Sequence, residues 1–482
     1  DLAPFPLGFF NAGLQADLYG RMRTLAAQRG IALDTVAIRV VNHYWLTGSF
    51  IQGTGEGHAE APDIEVQVQS PASAATIESL VAAVMDASPA VAFLRAPLAG
   101  NTFALYINGR RRQVEGVERS PVIRDQGVGD PRGGREYALI GLSHGTSFVD
   151  VTDAKRPRVV AFLPTATVAS PWRELKVYNG TAYIVADAAG AHGLQIVKLD
   201  RLRALSKRAA GPRREHDPQV IAPSAVYSGF GSAHNVEINP RTGVAYVVGS
   251  DACGDGGILM LDVRKPGAVS QIGCHFWPTQ PYVHDIQCEI YRGPDARSRG
   301  REICFASAAD ALWILDVTDK SLPVTLSRVS YAGQGYVHQG WLTEDHRTFL
   351  LDDELDERNL GGATKTYVWD VSDLTSIRLL AIHSGSTPAI DHNQYVRGQL
   401  AFQANYRAGL RILDVRQAAS GVLSEMAFFD VAPESDEAGF GGSWGVYPFL
   451  PSGNVLVSSI ERGLFVVRPG PVLRKLAASK VQ

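Results

Sequence analysis

An apolar run that ends in Asp-Val and passes at once into a turn recurs along this chain: SFVDVTD at Ser147, LMLDVRKP at Leu259, WILDVTDK at Trp313, YVWDVSD at Tyr367 and RILDVRQ at Arg411. Weaker copies are LQIVKLD at Leu194 and LFVVRPG at Leu464. Seven copies over some 330 residues set a period near fifty, with a histidine-bearing strand, a turn and a further strand between successive copies. Short β-rich strands punctuated by Gly, Pro and Asp turns at that period predict a seven-bladed β-propeller over 137–472, in a mainly β fold. A long coil of parallel strands suits the period less well.

The first part of the chain has a different pattern. Leu14, Leu18, Met22 and Leu25 share one face of a helix from Ala12 to Arg29, which Gly30 stops. Strands follow around Thr35 to Trp45 and Ile64 to Gln69, then a helix through IESLVAAVMDA and a closing strand, TFALYING. Residues 1–115 therefore read as a small α+β unit. Residues 116–136, rich in Gly, Pro, Arg and Asp, read as a linker or the entry strand of the propeller, and 473–482 as a tail.

Aligning the repeats on their first strand brings WRELKVY at Trp172, AHNVEIN at Ala233, VHDIQCE at Val283, VHQGWLT at Val337, DHNQYVR at Asp391 and SWGVYPF at Ser443 into register. Arg173, His234, His284, His338, His392 and Trp444 then occupy one position, at spacings of 61, 50, 54, 54 and 52 residues. The innermost strands of a propeller border its central channel, so equivalent positions form a ring, and four neighbouring blades aim an imidazole at one point. Imidazole is a common ligand of Zn, Fe, Cu and Ni, and four neutral rings leave open positions on a divalent ion. The alternative is a repeat residue that hydrogen-bonds a neighbouring loop. The histidines give way to Arg173 and Trp444 on either side, which favours metal over a purely structural repeat residue.

One place further on stand Glu174, Asn235, Asp285, Gln339 and Asn393, suited to holding the second imidazole nitrogen or a bound water, unless strand alternation turns them away. Asp285 and Glu174 are candidates for moving protons and Arg173 for holding an anion; Asn235, Gln339, Asn393 and Trp444 are candidates for binding substrate. LLDDELDE at Leu350 gathers Asp352, Asp353, Glu354, Asp356 and Glu357, either a calcium or acid–base site or a solvated acidic turn. His144, His192, His275, His346 and His383 lie off the repeat position. Phosphate-loop and HExxH motifs do not occur.

Four cysteines fall between Cys253 and Cys304 and none elsewhere, without CxxC spacing. Pairing Cys253 with Cys274 and Cys288 with Cys304 is compact and implies an oxidising compartment; four buried thiols in a cytosolic protein is the alternative. A net charge of -3 without a basic cluster excludes an electrostatic footprint for nucleic acid or an anionic membrane. No apolar run reaches the length of a bilayer span, and DLAPFPLGFF lacks the pattern of a signal peptide, so the numbering is expected to describe a processed form.

GLSHGTSFVDVTD, GSAHNVEINPRTGVAYVVGS, YVHDIQCEIYRGPD, YVHQGWLTEDHRTFLLDDELDE, AIDHNQYVRGQLAFQANYRAGLRILDV and GNVLVSSIERGLFVV together resemble the choice-of-anchor B family of LVIVD-type repeats, from about Gly134 to Gly470. That resemblance implies a propeller, export to the periplasm or cell exterior and paired cysteines, and no particular reaction. ADLYGRMRTLAAQRGIALDTVAIRV and SPASAATIESLVAAVMDASPAVAFL resemble the later part of an OsmC-like domain. The two peroxidatic cysteines of such domains are absent: none lies around Ala16 to Leu18, and Ser88 stands at the second position. Thiol peroxidase chemistry is therefore not expected. OsmC-like domains form intertwined dimers, which implies an assembly role, as a homodimer or with a partner chain that completes the sheet.

The expectation is thus a periplasmic or extracellular metalloprotein, an oxidoreductase with Fe, Cu, Zn or Mn on His234, His284, His338 and His392, acting on a small molecule. A metal-assisted lyase or hydrolase is the alternative enzyme, and a surface-binding scaffold the alternative outside enzymes.

Overall fold

The computed structural model describes residues 6–41, 44–47, 56–59, 63–88, 91, 105–107, 110–112, 122–130, 134–209, 218–279 and 281–479. The chain divides into two compact units, Asp1–Asn101 and Thr102–Gln482.

In the first unit the helices Pro6–Gln28 and Ala74–Ala87 cover one face of an antiparallel pair, Thr35–Val41 with Asp63–Gln69. Leu14, Leu18, Met22 and Ala26 of the first helix bury against Leu80 and Val84 of the second and Val40 of the sheet, the face that the i, i+4 spacing selects. Ser73 caps the second helix, its Oγ accepting from Thr76 N. The two segments that the OsmC-like resemblance marks as thiol positions do meet: Ser88 Oγ donates to Asp17 Oδ2 at 2.6 Å. Both side chains there are oxygen acids or alcohols, with no redox capacity. The expected strand TFALYING appears as Leu105–Ile107 paired with Arg110–Arg112, and it falls in the second unit.

The second unit is a ring of seven sheets, here blades 1 to 7. Their innermost strands are Val122–Asp130, Arg173–Tyr178, Ala233–Asn239, Val283–Ile290, Val337–Leu342, Asn393–Arg397 and Ser443–Tyr447. Each packs beside the next, and the last beside the first. The segment expected as linker or entry strand thus carries the innermost strand of blade 1. Among the described residues, blades 2 to 6 have four antiparallel strands each, blade 1 gains a fifth, parallel strand, Gln219–Val220, and blade 7 has three. The helix Pro471–Ala478 follows and packs Leu473, Leu476 and Ala477 against the core of blades 6 and 7.

The Asp-Val marker is the end of the third strand in blades 1, 3, 4, 5 and 6, and its chemistry explains the recurrence. Oδ1 of Asp150, Asp262, Asp316, Asp370 and Asp414 accepts the backbone N–H two residues on, at 2.9 to 3.0 Å, which turns the chain out of the strand. The valine after it is buried between sheets in every case. One residue ends the strand and the next anchors the turn to the core.

Candidate metal centre

The first-strand position selected by the repeats does form a ring around one end of the channel. Ring centroids of His234 and His284 lie 4.2 Å apart, those of His284 and His338 4.0 Å, and those of His338 and His392 4.5 Å. One narrow cavity is lined by all four histidines with Trp172, Arg173, Glu174, Asn235, Asp285, Asn393 and Trp444. Gln339 is not part of that lining: its Nε2 donates to Gln394 O and its Oε1 accepts from Gln394 N, both at 3.0 Å, so it clamps blade 5 to blade 6.

Ordinary strand alternation would send a histidine and its successor to opposite faces. In blades 4 and 5 the ladder slips at the histidine: Val283 faces Ala308 and Asp285 faces Ser307, leaving His284 as the extra residue, and His338 is the extra residue between Val337 and Gln339. Blade 7 repeats the slip at Trp444. A bulge turns two successive side chains toward one side, which brings His284 and Asp285 into the same cavity. Blade 3 has no such slip. There His234 lies opposite Gly249, whose φ of +57° and clearance exclude a side chain, because an added Cβ would stand 2.5 Å from His234 Cβ.

Hydrogen bonds set the imidazole tautomers. His284 Nδ1 donates to His338 O at 3.0 Å and His392 Nδ1 to Trp444 O at 2.5 Å, while His234 Nδ1 meets Asp187 Oδ2 at 2.8 Å. For His284 this puts the proton on Nδ1 and a lone pair on Nε2, the arrangement of a metal-ligating histidine with its outer partner; His392 Nδ1 is met by both the acceptor Trp444 O and the donor Asn393 Nδ2, the latter at 2.7 Å. Burial opposes the charge on Asp187, but the hydrogen bond and charge of His234, with bonds from Ala188 and Ser232, hold its carboxyl below the usual range.

A residue that the histidine alignment did not select sits beside two of the four histidines, His338 and His392. Glu354 Oε2 is 3.9 Å from His338 Nε2, and its Oε1 is 3.7 Å from His392 Nε2. One ligand atom of each of these three residues lies within 4.8 Å of the others. Two donors about 2.1 Å from a shared ion stand at most about 4.2 Å apart, so both Glu354 separations accommodate one transition-metal ion. Tyr406 OH donates to Glu354 Oε1 at 2.6 Å. Burial raises the Glu354 carboxyl above its ordinary value, against the lowering effect of Tyr406 and His234. Asp187 and Glu354 hold the same place in their repeats, directly after the second strands Thr181–Ala186 and Thr348–Asp353. Aligning second strands instead of first ones would have found both.

The other candidates surround this group. Asn235 Nδ2 donates to Asp285 Oδ2 at 2.7 Å, and Asn393 Nδ2 to Trp444 O at 2.9 Å. Glu174 Oε1 accepts from Leu175 N. Arg173 is held by Leu142 O, Thr165 Oγ1 and His192 Nε2, and burial lowers its guanidinium to about 10. Three residues further along the inner strands, Lys176 Nζ meets Glu237 Oε2 at 2.8 Å and reaches Tyr395 OH at 3.1 Å, crossing from blade 2 to blade 6 and narrowing the channel below the histidines. On the other side Trp172 and Trp444 also wall a second cavity of about 490 Å³, completed by Ser143, Ala169, Ser170, Pro171 and Ile460.

Both expected disulfides are present, Cys253–Cys274 and Cys288–Cys304. No helix among the described residues is long and apolar enough to cross a membrane.

No family model matches the chain, and no curated protein matches it; the choice-of-anchor B and OsmC-like resemblances therefore gain no such support. Solved structures do match. A Lactobacillus plantarum protein is 15% identical, over 68% of this chain and 93% of that chain, with a TM-score of 0.46. Hydrazine synthase of Kuenenia stuttgartiensis is 12% identical, over 76% and 99%, with a TM-score of 0.49. U3-55K is 10% identical, over 74% and 97%, with a TM-score of 0.48.

Proposed function

We propose that this protein is a metal-dependent enzyme, an oxidoreductase acting on a small molecule outside the cytoplasm. His338, His392 and Glu354 hold a transition metal, and His284 and His234 extend the arc of imidazoles. The observation that carries the reading is the convergence of two Nε2 atoms and one carboxylate, within 4.8 Å of one another, at the end of the channel where the tryptophan-walled cavity begins. A carboxylate beside imidazoles favours Fe(II), Mn or Zn over Cu(I), because it is a harder donor than imidazole alone. Bound there, a redox-active metal would supply electron transfer to or from a substrate at an open position.

The chain's own residues do the rest. The second cavity has the volume of a small-ligand site, and its largely apolar walls suit an apolar or aromatic body whose polar end reaches the histidines. In this reading Glu174 and Asp285 take or give a proton, Arg173 holds an anionic end, and Asn235, Asn393 and Trp444 orient the substrate, while Gln339 clamps blades 5 and 6. Two disulfides support a periplasmic or extracellular setting. The repeat motifs support membership of the choice-of-anchor B family, and the N-terminal unit an OsmC-like assembly role as a dimer or with a partner chain. A non-redox lyase or hydrolase is favoured by one feature, the His234–Asp187 pair, which has the arrangement of a general base and its orienting carboxylate.

Elemental analysis of protein purified without added metal tests the reading. Close to one equivalent of Fe, Mn, Zn or Cu per chain is expected, and less than about a tenth of an equivalent would leave a binding scaffold as the function.

A further inference from the structure

Beside the histidine ring, blade 5 and the start of blade 6 bury a second group of acids. Asp356, Glu357 and Asp391 are 0%, 2% and 1% exposed, and one carboxylate oxygen of each lies within 4.8 Å of the others. Their protein partners use up only part of the set. Asp356 Oδ2 accepts from Tyr367 OH at 2.6 Å and pairs with Lys365 Nζ at 2.9 Å; Glu357 Oε1 accepts from Lys365 N at 2.8 Å; Asp391 Oδ2 accepts from Asp353 N at 3.3 Å. Asp356 Oδ1, Glu357 Oε2 and Asp391 Oδ1 are buried without a hydrogen-bond partner. Neighbouring Asp353, by contrast, accepts from Gly335 N, Tyr336 N and Tyr331 OH.

Lys365 supplies one positive charge to three carboxyl groups in a dry site. Burying an ionised carboxylate without a partner is costly, and three such oxygens at one place call for a bound cation or shared protons. We propose that Asp356, Glu357 and Asp391 bind a calcium ion. Oxygens each about 2.4 Å from Ca²⁺ stand up to about 4.8 Å apart, which matches their grouping. Magnesium needs about 2.1 Å, a strict octahedron and several retained waters, a poor match to so buried a site. The ion would tie Asp356, two residues after Glu354, to Asp391, which directly precedes His392. It would thereby fix the two chain segments that carry a histidine and the carboxylate of the histidine site, and it needs no metal there.

Thermal unfolding and calorimetric titration of the full chain after dialysis against a calcium chelator test this. Millimolar CaCl₂ should raise Tm by about 5 °C or more, and an equal MgCl₂ concentration by far less. The titration should give one Ca²⁺ per chain. Glu357→Gln and Asp356→Asn should each abolish the shift, whereas the double variant His284→Ala, His338→Ala should keep it, which separates this site from the transition-metal reading. No calcium-dependent shift and no binding heat in the wild-type chain would overturn the proposal, as would an undiminished shift in both carboxylate variants. A Glu357→Gln chain that is more stable than wild type at every calcium concentration would show that the acids share protons instead.

Discussion

At the scale of single residues, the site combines groups that repeat alignment finds with groups that it does not. The four histidines were legible because the inner strand repeats them at near-constant spacing. Glu354 was visible only as one of five acids in LLDDELDE, and Asp187 not at all, because each belongs to a loop at the end of a second strand, whose repeats are less regular. Replacing Glu354 by Gln removes the charged donor and should abolish metal binding, with Tm little changed, since the residue contributes little to the apolar core. Tyr406→Phe removes only the hydrogen bond to Glu354 Oε1 and should weaken metal affinity about 10- to 100-fold in a competition titration. His192 tests the electrostatics behind the ring. Its Nδ1–H donates to Gly193 O, its Nε2 accepts from Arg173, and burial holds its pKa down at about 4. Between about pH 6.5 and 4 the unfolded chain therefore binds a proton that the folded chain refuses, so stability falls as pH falls through that window. Chemical denaturation of wild type and His192→Gln across it should show the variant losing less stability.

At the scale of elements, the blades were predictable because the features that end strands are short-range. An aspartate that accepts the N–H two residues on, followed by a valine in the core, is written in adjacent letters. Bulges are not written so plainly: nothing local to VHD or VHQ says that the histidine is the extra residue, since the slip depends on the partner strand. That is why the side to which Asp285 turns could not be read in advance. Blade 3 achieves the placement differently, through Gly249. Gly249→Ala should cost about 2 kcal/mol or more in denaturant titration, from the left-handed φ and the collision with His234 and Tyr282, and should reduce metal content as well. A variant as stable and as metal-loaded as wild type would show that the strand has room to shift.

At the scale of the whole molecule, the fold was legible as a count of repeats, and its irregular ends were not. The fifth strand of blade 1, the three described strands of blade 7 and the helix after them have no counterpart in the period. The disulfides stiffen blades 3 and 4, where Cys288 and Cys304 face each other across adjacent strands of one sheet. They close loops of 16 and 21 residues, and each should contribute about 3 kcal/mol by restricting the unfolded chain. Unfolding with and without reductant measures this, with the larger loss expected when both bonds are reduced.

The junction of blade 7 with blade 1 carries a different consequence. Many rings of this kind can be pictured as fastened by a strand that crosses from one end of the chain into the sheet of the other. Here, among the described residues, no strand passes between the sheets of blades 1 and 7, and the join includes Leu450 and Leu456 packed on Ala138, Ile140, Val149 and Val151, with Glu136 Oε1 accepting from Ser452 N at 2.6 Å. Among the described residues, the blade 7 to blade 1 junction is closed by packing and a hydrogen bond, without a shared strand. Breathing should therefore start at this clasp: amides of Ser443–Tyr447 and Val455–Ser459 should exchange with solvent sooner than those of the disulfide-bonded blade 4, and a ligand that bridges Trp172 and Trp444 would act as a latch across it.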